Sequence, residues 1–156
     1  MKQNSTAKEQ VLNPPSNSRV EETVESQVEE LDDTILLALH AASEKKALEP
    51  VVLDLRAIAS FTDYFVIVSG ANERQVQAIS DEVYERLKKA AVPAARVEGY
   101  KTAEWILLDY GYFIVHVFEN KARAFYDLER LWRESKRVTL PQEIKAESVE
   151  SLRRDS

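Results

Sequence analysis

A chain of 156 residues with 44% hydrophobic residues has the material for one ordinary domain with a single core. It has no cysteine, which excludes a disulfide frame, thiolate metal ligation and cysteine catalysis. The net charge of −6 is unevenly placed: residues 1–33 hold three basic and eight acidic side chains, so everything from Thr34 onward sums to 18 − 19 = −1. A dedicated nucleic-acid binder carries a clear basic excess, and only Lys121 to Arg137, with six basic and three acidic residues, approaches one.

Residues 1–26 are polar, contain Pro14 and Pro15 and have no apolar face to bury, so they read as a disordered acidic tail. No apolar run reaches the ~20 residues of a membrane span. The start has neither the apolar stretch of a secretory signal nor the Arg-rich, acid-poor composition of a transit peptide, so the cytoplasm is the expected compartment. From about Glu29 to Lys46, Leu31, Ile35, Leu39 and Ala42 recur at helical spacing with acids near the start. His40, within it, has no second ligand at a matching position. Pro50 is expected to stop this helix. Val51 to Leu55 then alternates as a strand, with Val51, Leu53 and Leu55 on one face.

Tyr64 to Val68 is apolar throughout, as a strand covered on both faces would be. Asn72 is a natural N-cap for a helix whose stripe is Val76, Ile79, Val83, Leu87 and Ala90, ending before Pro93. A short strand over 96–100 precedes a hairpin formed by Trp105 to Asp109, a turn at Tyr110 and Gly111, and Phe113 to Phe118. A last helix over about 122–132 is expected to bury Phe125, Leu128 and Trp132, and Leu140-Pro141 opens a second polar tail over 141–156. The intervening domain, 27–140, is α/β: a mixed sheet of about five strands with helices packed mainly on one face.

The hairpin turn closes in two ways. A three-residue loop with a G1 bulge pairs Leu108 with Tyr112, and it sets Trp105, Leu107 and Val115 on one face and Glu104 and His116 on the other. A two-residue loop puts Trp105 opposite His116, in company with Leu107, Asp109 and Ile114. Turn chemistry favours the first, because it asks no positive φ of Tyr110. Under either register the face carrying Trp105 is aromatic and polar together, the usual material of an interface anchor, although the same pattern also fits Trp105 as core.

Catalytic patterns are missing. There is no HExxH, GxSxG, Walker-type loop or Rossmann glycine pattern, and three glycines in the whole chain make a phosphate-cradling loop hard to assemble. Ser69-Gly70-Ala71-Asn72 joins a strand to a helix start, an arrangement that holds an anion in some proteins but more simply caps a helix. No Asp-x-Asp pair follows it to hold magnesium. The remaining acid and base candidates, Asp54, Asp63, Asp109 and His116, lie on separate elements. A nucleotidyltransferase-like or hydrolytic enzyme using these four is the alternative to a binding role. No catalytic, metal or cofactor site is expected.

Taken together, Asp54-Leu55, Thr62 to Gly70, Val97-Glu98-Gly99, Trp105 to Gly111, Val115 to Phe118, Arg123 and Tyr126 to Trp132 resemble the ribosomal silencing factors, also called Iojap-like proteins. The likeness covers roughly Thr34 to Trp132 and excludes both tails. It implies a fold akin to nucleotidyltransferases without their catalytic carboxylates. It also implies binding to ribosomal protein fourteen of the large subunit, which would block subunit joining and lower translation when nutrients are scarce. On that resemblance the expected contact residues are Glu98, Gly99, Trp105, Leu107, Asp109, Tyr110 and His116. Ribosomal RNA is a further expected contact for Arg130, Arg133, Lys136 and Arg137, and a homodimer through the open sheet face is a third use of the same surface.

Overall fold

The computed structural model describes residues 31–145. The tail expected over 1–26 and all but the first five residues of the one expected over 141–156 lie outside them. The elements in chain order are α1 (Asp33–Glu44), β1 (Leu48–Asp54), β2 (Tyr64–Gly70), α2 (Glu73–Lys89), β3 (Arg96–Glu98), β4 (Trp105–Asp109), β5 (Phe113–Glu119), α3 (Asn120–Tyr126), α4 (Leu128–Leu131) and β6 (Lys136–Arg137). A helical turn follows at 142–145.

Helix starts are set by side-chain caps. The Asp32 carboxylate accepts from Ile35 N–H at 2.9 Å, so α1 begins later than apolar spacing suggested. Asn72 accepts from Gln75 N–H at 2.8 Å, the cap expected for α2. The α2 stripe is as read, with Val76, Ile79, Val83 and Leu87 fully buried, but Ala90 is exposed at the C-cap.

The sheet is mixed and has six strands in the order β3-β4-β5-β2-β1-β6; β2 and β5 run parallel and every other neighbouring pair is antiparallel. Its sixth strand, β6, is two residues against Leu53 and Asp54, too short to leave a periodic signal. Pro50 does not merely end a helix, since it lies inside β1, at an irregularity between Leu48 and Val51 where Glu49 takes φ 48°. That strand break is where Pro is tolerated in a sheet.

Two apolar clusters lie on opposite sides of the sheet. One joins Val52, Val66, Val68, Ile106, Leu108, Phe113, Val115 and Val117 to the stripes of α1 and α2. Val138, Leu140 and Ile144 complete it, with Ile144 fully buried, so the packed unit runs past the expected boundary at 140. The other joins Leu53, Leu55, Phe65, Ile67, Ile114 and Phe118 to Ala122, Leu128 and Trp132. The long helices thus cover one face, as expected, and the short α3–α4 segment covers part of the second.

That segment is not the single helix expected over 122–132. Asp127 adopts a left-handed conformation, φ 49° and ψ 56°, and divides it. The change of direction buries Leu128 and half-buries Trp132, but turns Phe125 outward at 79% exposure, contrary to the expected buried stripe.

Candidate functional site

The hairpin β4–β5 closes through a turn that neither expected register contains. Tyr110 N–H donates to Phe113 C=O at 3.0 Å, so Gly111 and Tyr112 are the two central residues. Gly111 has φ 90° and Tyr112 is not among the positive-φ residues, so the conformation that favours glycine falls on the first central position. The turn is tied down from two sides: Asp109 Oδ1 accepts from Gly111 N–H at 2.8 Å, and Thr62 Oγ1–H donates to Gly111 C=O at 2.9 Å.

Trp105 therefore lies opposite Phe118, Leu107 opposite His116 and Asp109 opposite Ile114. The favoured bulged loop is overturned. The two-residue alternative named the right face companions, Leu107, Asp109, Ile114 and His116, but its pairing is displaced by two residues along the partner strand. A two-residue displacement preserves the face, whereas the bulged register exchanged it. On the neighbouring edge strand, Arg96 pairs with Asp109 and Glu98 with Leu107, which brings both to the Trp105 face.

Trp105 is half-buried and held in place. Its indole Nε1–H donates to His116 Nδ1 at 3.0 Å, and its ring lies 4.9 Å from that of Phe118 and 4.8 Å from that of Tyr126. Indole nitrogen is only a donor, so His116 Nδ1 is the acceptor and a neutral ring carries its proton on Nε2. That atom is buried with no partner. His116 is 3% exposed and burial pushes its pKa down to about 3, so it is uncharged at neutral pH and serves to orient Trp105.

Aromatic contacts extend this face in both directions. Phe65 meets His116 edge-on at 4.4 Å and Trp132 at 5.8 Å, and Phe61, 57% exposed, lies 5.9 Å from Trp132. At the other end Tyr126 meets Phe125 at 5.0 Å. Phe61, Phe125, Tyr126 and Trp132 were not expected here. They come from other elements, and only Tyr126 and Trp132 had a signal, as members of a family-like block. Charge rims the sheet edge: Arg96 lies between Glu98 and Asp109, 3.2 and 3.3 Å from their carboxylates.

Two expected contact residues have structural duties of their own. Tyr110 projects to the helix side and stacks on Phe113 at 4.9 Å; burial pushes its phenol up to about 12, and its hydroxyl has no partner. Gly99 has φ 83°, and a Cβ there would lie 2.1 Å from Trp105 O, so a side chain would collide with the backbone of β4.

The four candidates for acid–base chemistry are not brought together. Asp54 falls on the helix side by strand alternation and Asp109 on the other, with three strand spacings between them, roughly 14 Å. Asp54 is hydrogen-bonded to Arg56 at 2.8 Å, which holds its carboxyl below the usual carboxylate range. Asp63 is exposed on the loop before β2 and His116 is sealed. Among the described residues no group of three or more His, Cys, Asp or Glu is placed to hold a metal.

The chain is thus a mixed-sheet α/β domain with long helices on one face and, on the other, an aromatic surface rimmed by Glu98, Arg96 and Asp109. The family model described as "Ribosomal silencing factor during starvation" matches residues 28–156. A ribosomal silencing factor of Halalkalibacterium halodurans is 39% identical over 108 residues, covering 69% of this chain and 92% of its own. A mouse protein named "Mitochondrial assembly of ribosomal large subunit protein 1" is 30% identical over 92 residues, 57% of this chain and 40% of its own. The crystal structure of protein CV0518 from Chromobacterium violaceum superposes with a TM-score of 0.64 at 31% identity, covering 73% of this chain and 92% of that one. The chain belongs to the ribosomal silencing factor family, whose name describes ribosome silencing during starvation.

Proposed function

We propose that this protein binds the large ribosomal subunit through ribosomal protein fourteen, using the Trp105 face, and blocks subunit joining by occupying part of the joining surface. Translation falls as a result when nutrients are limiting. Family membership supports the ribosomal setting, and the mouse relative carries the large subunit in its name. The observation that carries the reading is Trp105 itself: a half-buried indole, locked by His116 and flanked by exposed Tyr126 and Phe125, on the outer part of a sheet face that no long helix covers. Such a pre-oriented aromatic anchor loses little entropy on docking. Leu107 adds apolar area, and Glu98 and Asp109 give an acidic rim suited to a basic protein.

Steric occlusion requires no chemistry. About 800 Å² per partner makes a stable interface, and a domain that covers that much of a shared surface excludes any larger body that needs it. The cytoplasm is the compartment in which we place this role; among the described residues no helix is long and apolar enough to cross a membrane. Gradient fractionation of ribosomes with the tagged protein tests the reading: recovery with free large subunits and not with joined ribosomes is expected. Equal recovery with both would overturn occlusion, and recovery with neither would overturn ribosome binding.

Arg130, Arg133 and Arg137 are exposed on the α3–α4 side of the sheet, where Arg137 lies 3.9 Å from Glu129, and Lys136, paired opposite Asp54, is exposed at the β6 edge on the helix side. They form the part of the surface that would contact ribosomal RNA. Replacing Arg130 and Arg133 by Gln should flatten the salt dependence of subunit binding. The same face is the surface through which a homodimer would form in the free protein, in competition with the ribosome.

A further inference from the structure

On the opposite side of the sheet, at its β3 edge, α2 and β3–β4 enclose a cleft of about 270 Å³ lined by Ser80, Asp81, Tyr84, Val97, Tyr100 and Leu108. It is built rather than incidental. Leu108, 1% exposed, belongs to the packed interior, whereas Val97 and Tyr100, 39% and 40% exposed, and Asp81 form its open walls. Tyr100 is fixed by two hydrogen bonds to α2: its hydroxyl donates to Asp81 Oδ2 at 3.1 Å, and its carbonyl accepts from Gln77 Nε2–H at 2.9 Å. Neither the Tyr84 nor the Tyr100 ring touches another aromatic ring among the described residues. Ser80 is 1% exposed, and its hydroxyl, in the cleft wall, has no hydrogen-bond partner.

The wall chemistry selects an occupant. Asp81 only accepts hydrogen bonds, the Ser80 hydroxyl is buried behind the wall, and no Lys, Arg, Asn, Gln or Trp side chain lines the cleft as an obligate donor. Two tyrosine rings add negative π faces, and the Tyr84 ring already has the Lys88 ammonium 6.0 Å from its centre. Acceptors, π faces and one carboxylate complement a flat, donor-rich cation and repel phosphates and carboxylates. The volume falls just below the ~300–1,000 Å³ of ordinary small-molecule pockets, which matches one side chain and not a nucleotide.

We propose that this cleft binds an alkylguanidinium group, the chemistry of an arginine side chain, with the guanidinium between the tyrosines and Asp81 and the methylene stem on Val97 and Leu108. Arginine suits such a slot better than lysine because its planar fork stacks and donates at once. The site lies on the other face of the sheet from Trp105 and does not depend on the docking role proposed above.

The test is titration of the full chain with agmatine at low salt, followed by amide chemical shifts. Saturable shifts confined to residues 77–84 and 97–108 are expected, with butylamine at least threefold weaker and n-butanol not saturating. Asp81→Asn keeps an acceptor for the Tyr100 hydroxyl but removes the charge, and it should weaken agmatine at least tenfold. Tyr84→Leu should weaken it too, whereas Trp105→Ala should leave it unchanged. A comparison of agmatine with acetyl-Ala-Arg-Ala-amide identifies the source, since tighter peptide binding points to a protein partner and tighter agmatine binding to a free metabolite. Scattered or non-saturating shifts, or equal affinity for n-butanol, would overturn the proposal, as would full binding by folded Asp81→Asn.

Discussion

His116 is polar, sealed and uncharged, and its ionisation is linked to folding. Its folded pKa is depressed from about 6.5 to about 3, so the unfolded chain binds the proton more readily. The stabilisation is complete above pH 6.5 and is lost as pH falls towards 3, by up to about 1.4 kcal/mol per pH unit. Denaturant unfolding across that range should show this slope, and His116→Phe should remove its share of it. The same variant takes away the acceptor for the Trp105 indole, so it should weaken large-subunit binding while leaving the protein folded. On the proposed docking role, Trp105→Ala should weaken it by about 2 kcal/mol or more, roughly 30-fold, the loss expected when a hot-spot indole is truncated. Unchanged co-sedimentation of a folded Trp105→Ala protein would remove Trp105 from the contact.

Among the elements, the hairpin shows how far one glycine position reaches. Gly111 as the first central residue, not the second, sets the register and so decides which side chains share a face with Trp105. Gly99 and Gly111 both take positive φ, but they should respond differently. Gly111→Ala meets no atom within 4 Å and should cost only its backbone strain, about 1 kcal/mol. Gly99→Ala also drives a Cβ into the carbonyl of Trp105, and should cost about 2 kcal/mol or more and displace β3 from β4. Thermal unfolding of the two variants side by side measures the difference, and equal costs would show that β4 yields. The family-like block Val97-Glu98-Gly99 thus combines a rim charge with a backbone constraint, and only Glu98 and its neighbours have a side chain to offer a partner.

At the scale of the whole molecule, the packed unit includes residues composition assigned to a tail. Ile144 is fully buried against the helix-side core, so Ile144→Ala should cost about 2–5 kcal/mol in a denaturant midpoint measurement. A loss under 0.5 kcal/mol would show that this last turn does not belong to the fold. An isolated Ile after Pro141 has no period to announce it, since its partners on α1 and the sheet are remote in sequence. For the same reason β6 was not legible.

The sequence by itself determined the α/β class, the strands β1, β2, β4 and β5, the stripe and cap of α2, and the family to which the chain belongs. These follow from local period, from capping and turn chemistry, and from blocks of residues in fixed order. It did not determine the hairpin register, the division of the last helix at Asp127, the outward turn of Phe125, or the separation of Tyr110 from Trp105. Each of those depends on which of two locally similar backbone states brings apolar surface onto the sheet, and that comparison exists only once the strands are paired and both faces have something to bury against.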